Sequence, residues 1–550
     1  MLLNKKFIDE KVFNNKIIVL FFFIIYFCIG STLVTDYGIA FDEDMQRAIA
    51  QNRLDYIANF FSNTFIQSNN VLENKISIKW PEFGVTFELP ALWLEKIIGF
   101  SDTRSQFFFR HYLIFFVSFI GSLFFYLISL KKFNSWKLAL LGTIFLVSSP
   151  RIFAESFYNS KDIIFMYFFL INTFFAINFL EKPNKYGAIL LAFVSALCIG
   201  VRIGGIILTI LVLYFLLIKY LRKDYNFKIT SSLLTFLFFL VFFVILFWPS
   251  LWENPLKNFI NAITSFSQYD HEVFNFYLGN FISSKANYWY YIPLWICITT
   301  PILIIIFFIY GFLLSIRRIL YRLIKIKHNN SLNDLWRGSS EFQDLIFTIL
   351  VFVPIFLTIV FKSTLYSGWR HLYFIYPFIV LIALNAFKII YIRFNLTKED
   401  NIKRIFNFII SLFIIFNFYW LYKNHPFQNS YFNSLAGDKP HNNFEVDYWG
   451  LSNRFVLEKI LTDDKNENID ISAISVTSLA HNFNILTTEQ KKRIQYSKDL
   501  KSSDYIINNN IFIWGDKNKL KKLPNNFDVY YELFIDDILI TTIYKRNASI

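Results

Sequence analysis

The chain has 550 residues, of which 55% are hydrophobic and 21% aromatic, and its formal net charge is +14. A soluble domain of this length needs more polar surface, so the composition excludes an ordinary globular protein. Much of the Lys and Arg lies in short segments beside long apolar runs, which argues against nucleic acid as the partner. We therefore predict an integral membrane protein that spans the membrane many times.

The apolar runs and the basic segments between them predict eleven transmembrane helices. An apolar run of about 18 to 20 residues crosses the hydrocarbon as a helix, and excess Lys and Arg mark the cytoplasmic loops. The N-terminal segment is basic and is placed in the cytoplasm. The stretch 186–220 is basic at both ends, so we predict two short helices joined by a turn near Gly200–Gly205. The predicted helices are 17–35, 107–130, 138–150, 162–180, 186–200, 203–220, 231–248, 291–315, 345–361, 372–392 and 405–421.

Eleven crossings place everything after the last helix outside the cytoplasm. We assign residues 1–421 to a transmembrane domain with a long first outer loop, 36–106, and residues 422–550 to a C-terminal extracytoplasmic domain. Shorter outer loops are expected at 150–162, 249–290 and 362–371. The tail is polar with short apolar segments, which predicts a small α/β domain. Its predicted elements are a helix at Leu451–Leu461, strands at Ile469–Val476 and Tyr505–Trp514, and a hairpin of Val529–Ile535 and Ile538–Tyr544.

Two polar clusters fall in the first two outer loops. Asp42 and Glu43 follow the first helix within the sequence FDED, and acidic residues there also suit an ordinary helix start. The second loop reads SPRIFAESFYNSKD and contains Arg151, Lys161 and Asp162. The simpler reading of this loop is a polar turn with mutual ion pairs.

Two further cationic positions lie near predicted helix ends. Arg202 sits in the turn between the two short helices, where a charge at membrane depth usually faces a cavity or a partner. Snorkelling to the interface would explain it equally well. Arg370 and His371 begin a later helix beside Trp369 and Tyr373. Interfacial aromatic belts account for the rings but not for the cation and the imidazole.

Carboxylates and cations on one membrane face suit chemistry on a lipid-linked phosphate. Arg and Lys neutralise phosphate oxygens, and a carboxylate can act as general base on an acceptor hydroxyl or amine. A phosphate leaving group needs little acid assistance. One base and a cationic pocket therefore suffice for glycosyl transfer from such a donor.

At these residues the sequence resembles the GT-C superfamily of membrane glycosyltransferases. The likeness is to bacterial members of the dolichyl-phosphate-mannose-protein mannosyltransferase-like and lipid A aminoarabinose transferase-like branch. It rests on FDED after the first helix, SPRIFAESFYNSKD, STLYSGWRHLYFIYP, and HPFQNSYFNSLAG followed by FEVDYWGLS at Phe444–Ser452. The four segments occur in this order and span the chain to about residue 455.

The resemblance implies an inverting transferase that uses a polyprenyl-phosphate sugar on the non-cytoplasmic face, in a bacterial inner membrane. Asp42 matches the catalytic base, and the adjacent Glu43 is the second catalytic candidate. The candidate substrate-binding residues are Asp162, Lys161, Arg151, Arg202, Arg370 and His371. Some members bind a divalent metal through first- and second-loop carboxylates, but no metal or cofactor is expected here. The chain shows no MIR-type repeats, which favours a glycan or lipid acceptor over a protein.

Two other functions remain open at this point. A transporter or flippase of lipid-linked sugars would also place cations at the interface, but transport paths usually carry ionisable groups near the midplane. A polysaccharide polymerase or ligase is a close chemical relative. A purely structural membrane protein would not need the charged second loop.

Overall fold

The computed structural model describes residues 2–65, 78–221, 227–267, 272–324, 336–397, 399–475, 477, 479–511 and 522–547 of the chain. The first half is almost entirely helical. Its helices are α1 (Leu2–Leu33), α2 (Glu43–Phe65), α3 (Glu88–Ile98), α4 (Thr103–Phe133), α5 (Trp136–Val147), α6 (Pro150–Tyr158), α7 (Asp162–Glu181), α8 (Lys185–Val201), α9 (Ile206–Leu221) and α10 (Phe227–Phe247).

The second half adds further long helices and the strands. The elements are α11 (Pro255–Ser267), β1 (Phe274–Tyr277), β2 (Asn280–Ser283), α12 (Tyr291–Thr299), α13 (Ile302–Ile324), α14 (Gly338–Val360), α15 (Tyr376–Thr397), α16 (Asp400–Lys423), α17 (Ser452–Asp463), β3 (Ile469–Ala473), α18 (Leu479–Asn482), α19 (Thr488–Arg493), β4 (Ile494–Tyr496), β5 (Tyr505–Asn508), β6 (Phe527–Ile535) and β7 (Ile538–Arg546).

The predicted class, a polytopic helical membrane protein, is confirmed. Nine helices in the described part of the chain are long and apolar enough to cross a membrane. The pair α5 and α6, bent by 69° at Ser148–Ser149, passes the same test only when taken together, and α8 is shorter at 17 residues. Each of the eleven predicted spans coincides with one or two of these helices. The number of actual crossings stays a prediction.

The predicted hairpin at 186–220 is present. Helix α8 ends at Val201, Arg202 is extended with φ −143° and ψ 134°, and α9 resumes after a short 3₁₀ turn. Near the far end of α9, the Lys219 ammonium donates to the Leu180 carbonyl, close to where α8 begins. The two helices therefore run back to the same end of the bundle. The basic residues at both ends of 186–220 and the glycines near its middle therefore predicted this geometry correctly.

Three predicted outer loops contain regular structure that hydropathy does not reveal. The first loop holds the polar helices α2 and α3, the second is largely helix α6, and the loop at 249–290 contains α11 and the β1–β2 hairpin. These helices are too polar or too short to register as spans. They are held by contacts with the bundle, such as the buried ion pair of Glu88 in α3 with Arg110 in α4.

The C-terminal region forms the predicted small α/β domain. Its sheet has the order β4-β3-β5-β7-β6, with β3 parallel to β4 and β5, and β7 antiparallel to β5 and β6. Ile535 pairs with Ile538 across the Asp536-Asp537 turn, as the sequence predicts. Helix α17 packs its apolar face on the sheet through Val456, Leu457 and Ile460. Strand β5 ends at Asn508, and positions 476 and 512–514 of the predicted strands lie outside the described residues.

The segment between α16 and α17, residues 424–451, connects the domain to the bundle. It has no long helix or strand, yet much of it is buried, including Asn429, Asp447, Tyr448 and Trp449. The Phe41 amide, beside Asp42, donates to the Trp449 carbonyl at 3.1 Å. The segment 424–451 thereby contacts the stretch between α1 and α2.

Candidate functional site

Four helix ends meet at one end of the bundle and bring together the polar residues singled out in the sequence. Asp42 follows α1 and precedes α2, Asp162 starts α7, Arg202 follows α8, and Arg370 precedes α15. These positions are far apart in the chain. They converge because α1 and α8 end at the level where α7 and α15 begin.

Arg370 stands at the centre of a buried ion cluster. Its Nη1 lies 2.7 Å from Oδ2 of Asp42 and 3.5 Å from Oδ2 of Asp162. The second oxygen of Asp162 pairs with Arg202. Asp162 and Arg370 are 2% and 5% exposed, whereas the Asp42 side chain is 29% exposed. Asp42 is therefore the carboxylate that an incoming molecule can reach.

A cavity with an empty volume of about 760 Å³, counted out to open solvent, opens beside this cluster. One part of its wall is charged and another is apolar, from Phe83, Val201, Ile203 and Ala262. The polar lining residues are Asp42, Glu82, Lys161, Arg202, Ser265, Thr364, Tyr366, Arg370 and His371.

Two titratable groups in the cavity have shifted pKa values. Burial raises the pKa of Asp42, but the charges of Arg370, Lys161 and Arg202 and the hydrogen bond from Arg370 outweigh it, so the pKa lies below its ordinary value. Asp42 is thus ionised at neutral pH. Burial, helped by the like charge of Arg202, lowers the pKa of Lys161 to about 7. Its ammonium also lies 3.7 Å from the ring centre of Phe83.

Five of the eight candidate residues line the cavity: Asp42, Lys161, Arg202, Arg370 and His371. Asp162 does not line it directly and acts through its pairs with Arg202 and Arg370. His371 packs its ring edge-on against Tyr366, with centroids 4.8 Å apart.

Glu43 and Arg151 lie away from the cavity. The Glu43 carboxylate accepts from the Ala40 amide at 2.6 Å and pairs with His111 at 3.0 Å, so it fixes the start of α2. Arg151 is buried, donates its Nε to the Tyr431 carbonyl and stacks on the rings of Trp295 and Phe432. Neither residue lines the cavity. Although Glu43 is adjacent to Asp42 in the sequence, its side chain is directed to His111 and not to the cavity.

Arg370 contacts two aromatic residues, Tyr366 and Trp449, that were not among the predicted site residues. The guanidinium of Arg370 lies 4.9 Å from the ring centre of Tyr366 and 4.6 Å from that of Trp449. Cation–π contacts in a desolvated site contribute on the order of 2 kcal/mol each. The FEVDYWG segment carried the signal for Trp449, because it was part of the family resemblance. Its contact with Arg370 needed the fold.

A buried hydrogen-bond network supports Asp162 from behind. Tyr373 and Tyr448 both donate to Oε1 of Glu155 at 2.8 Å, and Asn159 donates to Oε2 at 2.6 Å. Asn159 also donates to Asp162 at 3.3 Å and accepts from its backbone amide at 2.7 Å. The C-terminal segment thus holds the second-loop carboxylate in place through Tyr448.

A close backbone approach fixes the cavity wall opposite Arg370. A Cβ on Gly84 would lie 2.1 Å from the Gly200 carbonyl oxygen, and one on Gly200 would lie 2.2 Å from the Thr86 side chain. Only glycine permits this contact between the stretch that precedes α3 and the end of α8. It places Phe83 and Arg202 on the same cavity.

Asp42 and Asp162 are the carboxylates through which a divalent metal would bind. Both are engaged by Arg370. Within the described ranges, no group of three or more His, Cys, Asp or Glu side chains has the geometry of a metal site. A metal at this pair would have to compete with the guanidinium.

Comparisons with known proteins show a likeness to solved structures. No family model and no curated protein match the chain. Among solved structures, the crystal structure of ArnT from Cupriavidus metallidurans in the apo state is similar, with 11% sequence identity and a TM-score of 0.39. The similar region covers 67% of this chain and 59% of that chain, which is less than two thirds of the ArnT length.

Proposed function

We propose that the protein is an inverting glycosyltransferase that moves a sugar from a polyprenyl-phosphate donor to a glycan, lipid or protein acceptor. The observation that carries the proposal is the cavity in which a reachable, ionised carboxylate lies beside three cationic side chains. The reaction takes place on the membrane face opposite the N-terminal segment. The sequence resemblance at the same residues supports the same chemistry.

Charge in the cavity suits a phosphate that becomes more negative during the reaction. Arg202, Arg370 and protonated Lys161 carry three positive charges. The two arginines pair with Asp42 and Asp162, and Glu82 is a third carboxylate in the lining. A phosphodiester donor brings one negative charge, and the departing phosphate monoester carries up to two. Prearranged cations stabilise this developing charge more than the ground state.

Asp42 is the proposed general base. Its carboxylate takes the proton of the acceptor hydroxyl or amine as that group attacks the anomeric carbon from the side opposite the phosphate. The bond between the anomeric carbon and the phosphate oxygen breaks, and polyprenyl phosphate leaves with the electron pair. One displacement inverts the configuration at that carbon. Such base catalysis contributes about 10² to 10⁴ in rate.

The donor site has a direct binding test. The purified full-length protein in nanodiscs is titrated with polyprenyl-phosphate hexoses and pentoses, and transfer is followed as release of polyprenyl phosphate. Arg370→Gln should weaken donor binding, because it removes the cation nearest to Asp42. Arg322→Gln is the matched control. Arg322 pairs with Glu341 near the last residues of α13 and the first residues of α14, and neither residue lines the cavity.

The alternatives give different results in the same preparation. Movement of the donor across a proteoliposome membrane with its sugar–phosphate bond intact, and no transfer to any acceptor, would identify a flippase. Transfer only to long polysaccharide acceptors would identify a polymerase or ligase. Normal donor affinity in Arg370→Gln would contradict the assigned phosphate site.

A further inference from the structure

A second cleft lies between the β1–β2 hairpin and the C-terminal domain. Its empty volume, counted out to open solvent, is about 940 Å³. Three Phe rings contribute to its wall, and three Asn residues supply side-chain amides. The lining residues are Phe276, Phe281, His441, Asn442, Phe444, Val446, Asn509, Asn510 and Leu539.

The chemistry of this cleft differs from that of the first cavity. None of its described lining residues is Asp, Glu, Lys or Arg, whereas the first cavity gathers three cations and three carboxylates in and around it. An anionic lipid or phosphate would find no Lys or Arg in the described lining. A neutral ligand with hydroxyl groups on a partly apolar frame fits rings and amides together.

The imidazole of His441 presents a hydrogen-bond donor to the cleft region. Its Nδ1 accepts from the Leu539 amide at 3.2 Å, so the neutral ring carries its proton on Nε2. Burial and the nearby charge of Lys439 lower the pKa of His441, which keeps the ring neutral at pH 7. The neutral form is the one that suits an uncharged ligand.

One residue of the same wall contains a buried acceptor atom with no partner among the described residues. Oδ1 of Asn509 is buried and receives no hydrogen bond from the described residues. The residue as a whole is also buried, with 2% of its surface exposed. Its Nδ2 is directed to the Asp447 carbonyl at 3.4 Å, and its backbone amide donates to Ser475. A buried acceptor left unpaired costs about 1 to 3 kcal/mol, so a donor from outside the described residues is expected there.

The cleft is connected to the first cavity by a short piece of chain. Phe444 lines the cleft, and Trp449, five residues later, stacks on Arg370. Five residues span at most about 18 Å even when fully extended. A ligand in the cleft therefore lies within about 18 Å, plus side-chain reach, of the carboxylate proposed as base.

We infer that the cleft binds a neutral oligosaccharide, as the distal part of the acceptor glycan. Only the assignment of the glycan as the acceptor rests on the proposed function. Sugar binding in the cleft stands on its aromatic and amide lining. The distance of at most about 18 Å, plus side-chain reach, is one that a short saccharide chain spans between the cleft and Asp42.

The test is saturation-transfer NMR on the full-length protein in a detergent without a sugar headgroup. The probes are neutral di- to tetrasaccharides of glucose, mannose, galactose and N-acetylglucosamine, together with uronic acid counterparts. Neutral probes should bind and the acidic ones should bind less. Phe281→Leu, which removes a ring face but keeps apolar volume, and His441→Gln should each weaken binding by about 3- to 10-fold, the worth of one net contact.

Two controls separate the possible failures. Trp289→Leu changes an aromatic side chain that is 68% exposed on the same outer segment, and it should leave sugar binding unchanged. Asp42→Asn should also bind sugars normally, because the cleft does not include it. The absence of binding by any neutral probe, or equal loss in Phe281→Leu and Trp289→Leu, would overturn the inference. Sugar binding in a protein that transfers nothing would sink the proposed function while the cleft assignment survives.

Discussion

Replacing Asp42 by Asn separates catalysis from binding more sharply than other substitutions in the cavity. The change is isosteric, and the Asn oxygen can still accept the 2.7 Å hydrogen bond from Arg370. Arg370 keeps its second carboxylate at 3.5 Å and its two aromatic neighbours. We therefore expect the fold and the cavity to persist, with thermal unfolding close to that of the wild type.

The expected loss is in the rate of transfer. An amide cannot take the acceptor proton, so kcat should fall by about 10² to 10⁴, or about 3 to 5 kcal/mol of transition-state free energy. Donor affinity should stay the same or rise, because one of the two negative charges near the cations has been removed. The assay combines single-turnover transfer with a separate titration of the donor.

Asp36→Asn is the matched control, since this carboxylate precedes the site by six residues. Asp36 is 44% exposed and pairs with His425 at 2.9 Å. Exposed pairs contribute at most about 1 kcal/mol, and this one is not part of the cavity. Its kcat should stay within about twofold of the wild type. If Asp42→Asn lost less than tenfold in kcat, or lost donor affinity in step with kcat, Asp42 would not be the base.

Three further predictions concern neighbouring groups. Lys161 has a pKa of about 7, so donor affinity should fall as the pH rises from 6 to 8, and Lys161→Met should flatten this dependence in a binding titration. Trp449→Leu removes a cation–π contact to Arg370 and should weaken donor binding by about 2- to 30-fold without unfolding the protein; an unchanged Kd would contradict this. Burial raises the pKa of Glu445 from 4.5 to about 7, so the folded state binds more protons than the unfolded chain and loses stability as the pH rises between these values. Glu445→Gln should therefore raise Tm at pH 8 and reduce the fall of Tm between pH 5 and 8, and an equal fall in both proteins would refute the assignment.

The sequence alone was sufficient to predict the membrane class, the position of most long helices and the small C-terminal α/β domain. These features follow from local signals: apolar run length, the placement of Lys and Arg, and a two-residue turn between alternating strands. The hairpin turn at Arg202 was predictable for the same reason. The polar helices α2 and α3 were not, because their stability comes from packing on the bundle rather than from hydropathy.

Which polar residues share a cavity depends on the packing of the helices. Asp42, Lys161, Arg202 and Arg370 come together because four helices end or begin at the same level, whereas the adjacent Glu43 turns to His111 and Arg151 to a separate aromatic cluster. Trp449 reaches Arg370 from a segment nearly 80 residues further along the chain. Side-chain direction and long-range contact depend on how the helices pack, so the spacing of residues along the sequence does not predict them.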